Sequence, residues 1–360
     1  MERNWSIRPY RIGDEHEILS LWKVVHPERE YNREKWLRWW TWQYKENPAG
    51  SSAIWIAEDN GKIVGQYALI SELVKVYDNL SIIYQSVDTM THPNYRRQGM
   101  FIMLARAAYQ SIENNDTHII FGFPNNQSLP GFIGELNFHV ILNIPLIVKP
   151  LNWGNFLKLR IKNKLFLSIC QKIGELAQNS FFKPMVCNVG DELTISKVDT
   201  FDERINDLWE KISDRYTVTV VRKAMYLNWR YAAPDIKYFK YIAEKKGEIV
   251  GYLVIGYRPW RENVKVGIIF DIFAETREVT RYLLTKAEED CRIEKLDLLY
   301  TQMKGNKMYA TAFRRNGFIT FPLIESLKLI VRTAKCDKKK RNIFNDNSKW
   351  LIQLGDSDLV

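Results

Sequence analysis

The sequence predicts an α+β chain in which one strand-rich unit is written twice. Three observations lead there. First, short stretches recur at a nearly constant spacing. Gly61-Lys-Ile-Val-Gly65 returns as Gly247-Glu-Ile-Val-Gly251, 186 positions on, and Trp42-Gln-Tyr44 returns as Trp229-Arg-Tyr231, 187 on, with Pro48 and Pro234 just after. Asp88 returns as Asp271 at 183, and Asn137-Phe138 as Gly317-Phe318 at 180. A steady offset with small losses marks two copies of one unit. Second, Tyr84 to Leu104 reads as a strand, a short basic turn and the start of a helix. Third, Ser52 to Ala57 and Ile63 to Ile70 read as strands, joined through Asn60-Gly61, the signal of a tight hairpin.

The stretch from Tyr84 carries the clearest chemistry. Tyr84 to Met90 suits a buried strand, and Pro93 ends it because proline has no N–H for a ladder. Gly99 opens an apolar run of Met100, Met103, Leu104 and Ala107 on helical spacing, with Arg96 and Arg97 at its entrance. A helix N-terminus has unpaired N–H groups and about half a positive charge, so it attracts anions. Gly99 lets backbone approach a ligand with no Cβ between them. The arrangement predicts a diphosphate cradle.

Arg96-Arg97-Gln98-Gly99-Met100-Phe101, with the strand and proline before it, resembles motif A of the GNAT superfamily of acetyl-CoA-dependent N-acetyltransferases. The pattern there is Arg/Gln-X-X-Gly-X-Gly/Ala, and Phe101 departs from its small last residue. The resemblance implies two tandem GNAT folds, each a mixed, mostly antiparallel sheet flanked by helices, and acetyl-CoA as cosubstrate. It implies cofactor contacts from Arg96, Arg97, Gln98, Gly99, Met100 and Phe101, and carbonyl-polarising amides at Met90, Thr91 and His92. It extends to Asn126, in a segment similar to the family's Asn-X-X-Ala…Tyr-X-X-X-Gly-Phe. There the family's usual acidic tyrosine falls on Ile133 and its glycine on Asn137. The layout is similar to the enhanced intracellular survival acetyltransferases without their sterol-carrier-like domain. In those relatives the C-terminus reaches the active site.

The second copy lacks the glycine turn. After Asp271 comes Ile-Phe-Ala-Glu275-Thr-Arg-Glu278, and carboxylates there would repel a diphosphate. That copy is expected to keep the fold, to have lost the cofactor, and to wall the acceptor site. The expected limits are 1–149 for the cofactor-binding unit, 150–190 for a helical connector, 191–333 for the degenerate unit and 334–360 for a linker and terminal strand.

Length and composition fit this reading. At about 150 residues per domain, 360 residues make about two domains, and 46% hydrophobic with 26% charged residues describes a globular chain. The apolar run Val140 to Val148 is far shorter than the ~20 residues that span a bilayer. No signal-peptide pattern opens the sequence. Cys170, Cys187, Cys291 and Cys336 form no CxxC pair, which points away from zinc and disulfides and toward a cytoplasmic location. The histidines have no metal spacing. A formal charge of +10 favours anionic partners.

Lys35 to Tyr44 puts Trp36, Trp39 and Trp40 near one helix face, either packed on a core or offering a platform for a sugar ring. Residues 150–183 read as a basic amphipathic helix, or two helices, with six Lys or Arg and one acid, Glu175. Such a helix either packs on a neighbouring domain or contacts an anionic membrane surface. Lys335 to Asn347 reads as a solvated linker, and Trp350 to Leu354 as a strand docking on a sheet edge.

Transfer of acetyl to an amine needs a base. Asp88, in a strand otherwise built for burial, is the first candidate, because a desolvated carboxylate has a raised pKa. The tail carboxylates of Asp356, Asp358 and the C-terminal Val360 come next, then Glu135. The reading is an acetyl-CoA-dependent N-acetyltransferase acting on a primary amine by direct attack, with a lean to an aminosugar and no specific nucleic-acid partner. The alternatives are an aminoacyl-tRNA-dependent transferase of the peptidoglycan-bridge type and a non-catalytic adaptor for nucleic acid or membrane.

Overall fold

The computed structural model describes residues 4–112, 119–152, 155, 193–259, 264–321, 327–333 and 336–358. Of the basic helix expected over 150–183, only residues 150–152 and 155 are described, with Pro150 ending a strand; the rest, and the terminal Val360, lie outside the described residues. The first half runs β1 (Ser6–Pro9), α1 (Glu15–Val25), α2 (Arg33–Tyr44), β2 (Ala53–Asp59), β3 (Lys62–Val76), β4 (Asn79–Thr91), α3 (Met100–Ile112), β5 (Ile120–Gly122), α4 (Leu129–Glu135), β6 (His139–Ile144) and β7 (Leu146–Pro150). The second runs β8 (Leu193–Val198), α5 (Arg204–Ile212), β9 (Val218–Val220), α6 (Ala224–Arg230), β10 (Tyr238–Lys245), β11 (Glu248–Pro259), β12 (Lys265–Ala274), α7 (Arg277–Ile293), β13 (Leu298–Gln302), α8 (Lys307–Arg315), β14 (Ile319–Phe321) and β15 (Leu327–Arg332). A short helix, α9 (Lys338–Asn345), precedes the tail.

These strands form two mixed sheets, as the α+β reading expects. One has the order β1-β2-β3-β4-β5-β15-β6 with β9 beside β3, the other β14-β7-β13-β12-β11-β10-β8. Pairing is antiparallel except between β4 and β5 and between β12 and β13. Three strands change sides: β7 leaves the first half to pair with β13 and β14, while β9 and β15 leave the second, β9 to pair with β3 and β15 to lie between β5 and β6. The limits read from sequence, 149/150 and 333/334, therefore cut across the sheets. Each sheet completes its ladder with a strand from the other half, so neither holds all its backbone hydrogen bonds alone.

Positions that recur in the sequence occupy like places. Asn60-Gly61 and Lys246-Gly247 both take positive φ, 48° and 77° against 52° and 82°, at the β2–β3 and β10–β11 hairpins. Gly65 and Gly251 sit where a helix crosses the sheet. A Cβ on Gly65 would overlap Met100 of α3, and one on Gly251 would come within 2.8 Å of Val279 of α7. Trp42 and Trp229 stack at 5.2 Å, and each indole N–H donates to the other's backbone carbonyl, at 2.8 and 2.9 Å. That reciprocal contact is a local two-fold. Asn137 and Gly317 share the left-handed region, with Phe138 and Phe318 buried after them.

Several apolar and tail residues serve the core. Trp36 and Trp40 are buried and stacked on each other, so they offer no platform to a sugar. The expected linker 335–347 is in part helix α9, which buries Ile343 and Phe344. The expected strand Trp350–Leu354 reduces to two isolated bridges, Trp350 with Val218 and Ile352 with Lys304.

Where the halves meet, Glu72 on β3 is 4% exposed, and its Oε2 has no partner among the described residues. Burial pushes its carboxyl up to about 8; nearby Arg230 and Arg222 pull it down and Asp356 pushes it up. The folded state thus holds this proton more tightly than the unfolded chain. The associated stability is present below the ordinary Glu value and is lost as pH rises through about 8. Glu72→Gln is expected to flatten the fall in melting temperature between pH 5.5 and 8.5; an unchanged slope in calorimetry would refute this.

Candidate active site

The parallel pairing of β4 and β5 runs only from Tyr84–Ile120 to Ser86–Gly122. Beyond it the strands part, and a cavity of about 270 Å³ opens between them. Ser86, Val87, Asp88, Thr89 and Met90 line one side, and Gly122 to Asn125, Ser128 and Phe132 the other. Trp22, His26 and Arg29, from α1 and the loop after it, also line it, together with Asp358 of the tail.

Asp88 lies at an irregularity of the β3–β4 ladder and has φ 46°, a left-handed conformation costly for a residue with a side chain. Gln66 donates to its carbonyl at 3.0 Å. Its Oδ2 accepts from Tyr44 Oη at 2.5 Å and Gln43 Nε2 at 2.9 Å, both on α2. Burial raises the Asp88 carboxyl above the usual range, against the pull of those two bonds. Burial and then the Asp88 charge hold the Tyr44 phenol well above its usual value. The second half repeats the pair: Tyr231 Oη donates to Asp271 Oδ2 at 3.0 Å.

Asp358 differs. Its Oδ1 is closed off from solvent and has no hydrogen-bond partner among the described residues. Burial and then the charge of Asp88 push its carboxyl up to about 7. A carboxylate poised near neutrality beside a cavity is equipped to take a proton.

The turn before α3 follows β4, the strand that lines one side of the gap. Arg97 and Gly99 take φ of 63° and 74°, and a Cβ on Gly99 would meet nothing within 4 Å. Gln98 is tied back by Trp5 Nε1 at 3.0 Å. Arg96, Arg97, Gln98 and Gly99 are exposed. The first N–H groups of a 13-residue helix, without intrahelical partners, point out beside them. Met100 is buried under Gly65, and Phe101 turns inward between Tyr67 and Phe132, filling the space above Gly131. Met100 therefore offers a ligand only its backbone, whereas Phe101 is half-buried. The bulky residue at the end of the motif is thereby accommodated in the core.

Other expected contacts are redistributed. Met90 lines the cavity, whereas Thr91 and His92 do not, and the His92 N–H is taken by Val64 O at 2.9 Å. Asn126 is not a lining residue; Asn125 and Ser128 are, with Asn125 Oδ1 accepting from the amides of Gln127 and Ser128. Glu135 pairs with Arg106 away from the cavity. The sequence reading did not pick out Gln43, Tyr44, Trp22, His26 or Arg29 for this site. The recurrence of Tyr44 as Tyr231 was the one available signal. Among the described residues no cluster could hold a metal ion, and no helix is long and apolar enough to cross a membrane.

Residues 6–141 match the family described as acetyltransferase (GNAT) domain. A comparison with curated proteins found no match. Among solved structures, the chain resembles a GCN5-related N-acetyltransferase from Anabaena variabilis ATCC 29413, at 11% identity over 91% of this chain and 72% of that one, with a TM-score of 0.62. It also resembles the N-myristoyltransferase of Saccharomyces cerevisiae solved with bound myristoyl-CoA, at 9% identity over 92% and 83%, TM-score 0.63. A probable N-acyltransferase from Enterococcus faecalis V583 stands at 10% identity over 92% and 73%, TM-score 0.62. At these identities the likeness speaks for the fold. The match to a GNAT acetyltransferase domain over residues 6–141 supports acyl transfer, and the solved structures share the fold.

Proposed function

We propose that the chain transfers an acetyl group from acetyl-CoA to a primary amine by direct attack, with both substrates bound in the first half. The observation that carries this is the gap between β4 and β5: Asp88 and Asp358 line it, and β4 leads on past it into the left-handed Arg97–Gly99 turn that opens α3. The residues fit a coenzyme A thioester. The exposed turn and helix start suit a diphosphate, and a cavity of about 270 Å³, below the ~300–1,000 Å³ of pockets for drug-sized ligands, favours a short acyl group. Coenzyme A supplies an activated carbonyl; the protein holds, orients and deprotonates. The Asp358 carboxylate accepts the amine proton. Asp88, engaged by Tyr44 and Gln43, keeps Asp358 basic through its charge.

The two halves are read as copies of one unit, of which the second has given up the cofactor. Thr276 caps α7 by accepting from Val279 N at 3.2 Å, and Glu278 sits in its first turn, paired with Arg277. Burial of Trp36 and Trp40 removes the main support for an aminosugar, so the acceptor class is an amine. Acetyl-CoA at about 100 times its Kd should raise stability by ~2.7 kcal/mol, with one site per chain in titration calorimetry. A panel of glucosamine, spermidine and a peptide α-amine, followed by coenzyme A release, identifies the acceptor type. Unchanged melting under saturating acetyl-CoA would refute the reading, and binding of aminoacyl-tRNA instead would replace it.

A further inference from the structure

The second half has a strand gap like the first, and the chain's own tail fills it. β12 and β13 pair only from Val266–Leu298 to Ile268–Tyr300 and then part. Into that space comes the tail. Ile352 exchanges both backbone hydrogen bonds with Lys304, at 2.8 and 2.9 Å. The Gln353 side chain then acts as a piece of strand for β12: its Oε1 accepts from Ile272 N at 2.9 Å and its Nε2 donates to Ile272 O at 3.0 Å. Asp356 is held by Arg222 Nη2 at 2.7 and 2.8 Å, and Arg230 donates to the carbonyls of Gly355 and Ser357. Gly355 lies so close to β12 that a Cβ would overlap the Tyr231 hydroxyl and come within 3.1 Å of Phe270 O. One residue beyond Ser357, Asp358 enters the first half's cavity.

We propose that the second half serves the reaction as a socket: its strand gap seats the tail, and Gln353, Gly355, Arg222 and Arg230 are positioning residues that set Asp358 in the first half's cavity. This rests on the reading of Asp358 as proton acceptor. It gives the second half a definite task. The space between β12 and β13 is stoppered from within, and the peptide that stoppers it delivers the base across the junction. Tail seating and basicity at the first site are then one equilibrium.

The test uses the full chain with Gly355→Ala, which changes no charged or hydrogen-bonding side chain, Gln353→Ala as a second way to loosen the seat, Asp358→Asn, and the Gly355→Ala/Asp358→Asn double variant. Coenzyme A release from acetyl-CoA with the best amine of the panel is followed from pH 5.5 to 9, alongside amide hydrogen exchange. Asp358→Asn should lower kcat by about 100-fold or more, leave the KM for acetyl-CoA unchanged and erase the rise of rate near pH 7. Gly355→Ala and Gln353→Ala should repeat that pattern, and the double variant should be no worse than Asp358→Asn alone. The Ile352 and Lys304 amides should exchange faster in the two seat variants, with β3 and β4 amides unchanged. An Asp358→Asn enzyme with normal kcat removes the base reading and the proposal with it. An impaired Asp358→Asn beside seat variants with a normal pH profile removes the proposal alone. Losses that multiply in the double variant, or tail amides that stay protected in both seat variants, also refute it.

Discussion

Replacing Gly99 with glutamate is expected to abolish binding of acetyl-CoA and, with it, all acyl transfer, while leaving the chain folded. The φ of 74° at Gly99 costs a residue with a Cβ roughly 1–2 kcal/mol, paid in the free and bound protein alike. Nothing lies within 4 Å of where that Cβ would stand, so the fold itself has room for a side chain. The penalty falls on the ligand. A carboxylate about 4 Å from a phosphate charge repels it by ~4 kcal/mol at an effective dielectric of about 20, on the order of a thousandfold in affinity. It would also compete for the helix amides that the diphosphate needs. Gly99→Ala carries the strain without the charge and should lose far less. Titration calorimetry and thermal melting with acetyl-CoA separate the two; equal affinity of Gly99→Glu and the unaltered protein would exclude this turn from the cofactor site.

That turn was legible in sequence because everything that defines it is local: a strand, a proline, two arginines and a glycine within a few residues. The hairpin at Asn60-Gly61 was legible for the same reason, and its counterpart at Lys246-Gly247 followed from the offset. What could not be read is what depends on partners far along the chain. Nothing in Leu146–Pro150 or Leu327–Arg332 says that each pairs in the other half's sheet, because an apolar strand carries no address for its neighbour. Trp36 and Trp40 show the same limit: helical spacing places them on one face but does not say whether that face meets solvent or core. At the site, Asp88 stood out as a carboxylate in an apolar strand, yet its recurrence as Asp271, with Tyr231 in the place of Tyr44, marks the Asp–Tyr pair as part of the shared framework. The group that sets the two halves apart is Asp358. Its role depends on where the tail is anchored, and Arg222, which anchors it, is an unremarkable arginine at the end of an apolar run in the sequence.

Arg222→Met is expected to be the most destabilising single change at the junction of the halves. The side chain is fully buried, and its guanidinium is engaged at every nitrogen. Nε lies 3.2 Å from both oxygens of Asp271, Nη2 2.7 and 2.8 Å from those of Asp356, and Nη1 2.8 Å from Thr219 Oγ1 and Val220 O. Methionine fills a similar volume but leaves two carboxylates in the interior without their cation, and breaking a buried pair in this way costs about 3–5 kcal/mol. The pH dependence has a definite sign. Burial already raises the Asp271 carboxyl in the native protein, with Arg222 pulling it down and Asp356 pushing it up. Without Arg222 the folded state binds that proton more tightly still, while the unfolded chain keeps an ordinary aspartate. Native stability of the variant therefore falls further as pH rises above the unfolded value, so the deficit is larger at pH 8 than at pH 5.5. Denaturant unfolding at the two pH values measures it. Adding Asp271→Asn and Asp356→Asn to Arg222→Met should restore much of the loss, since the cost lies in the uncompensated charge. If the triple variant is less stable than Arg222→Met alone, the three side chains do not act as one charge-balanced unit.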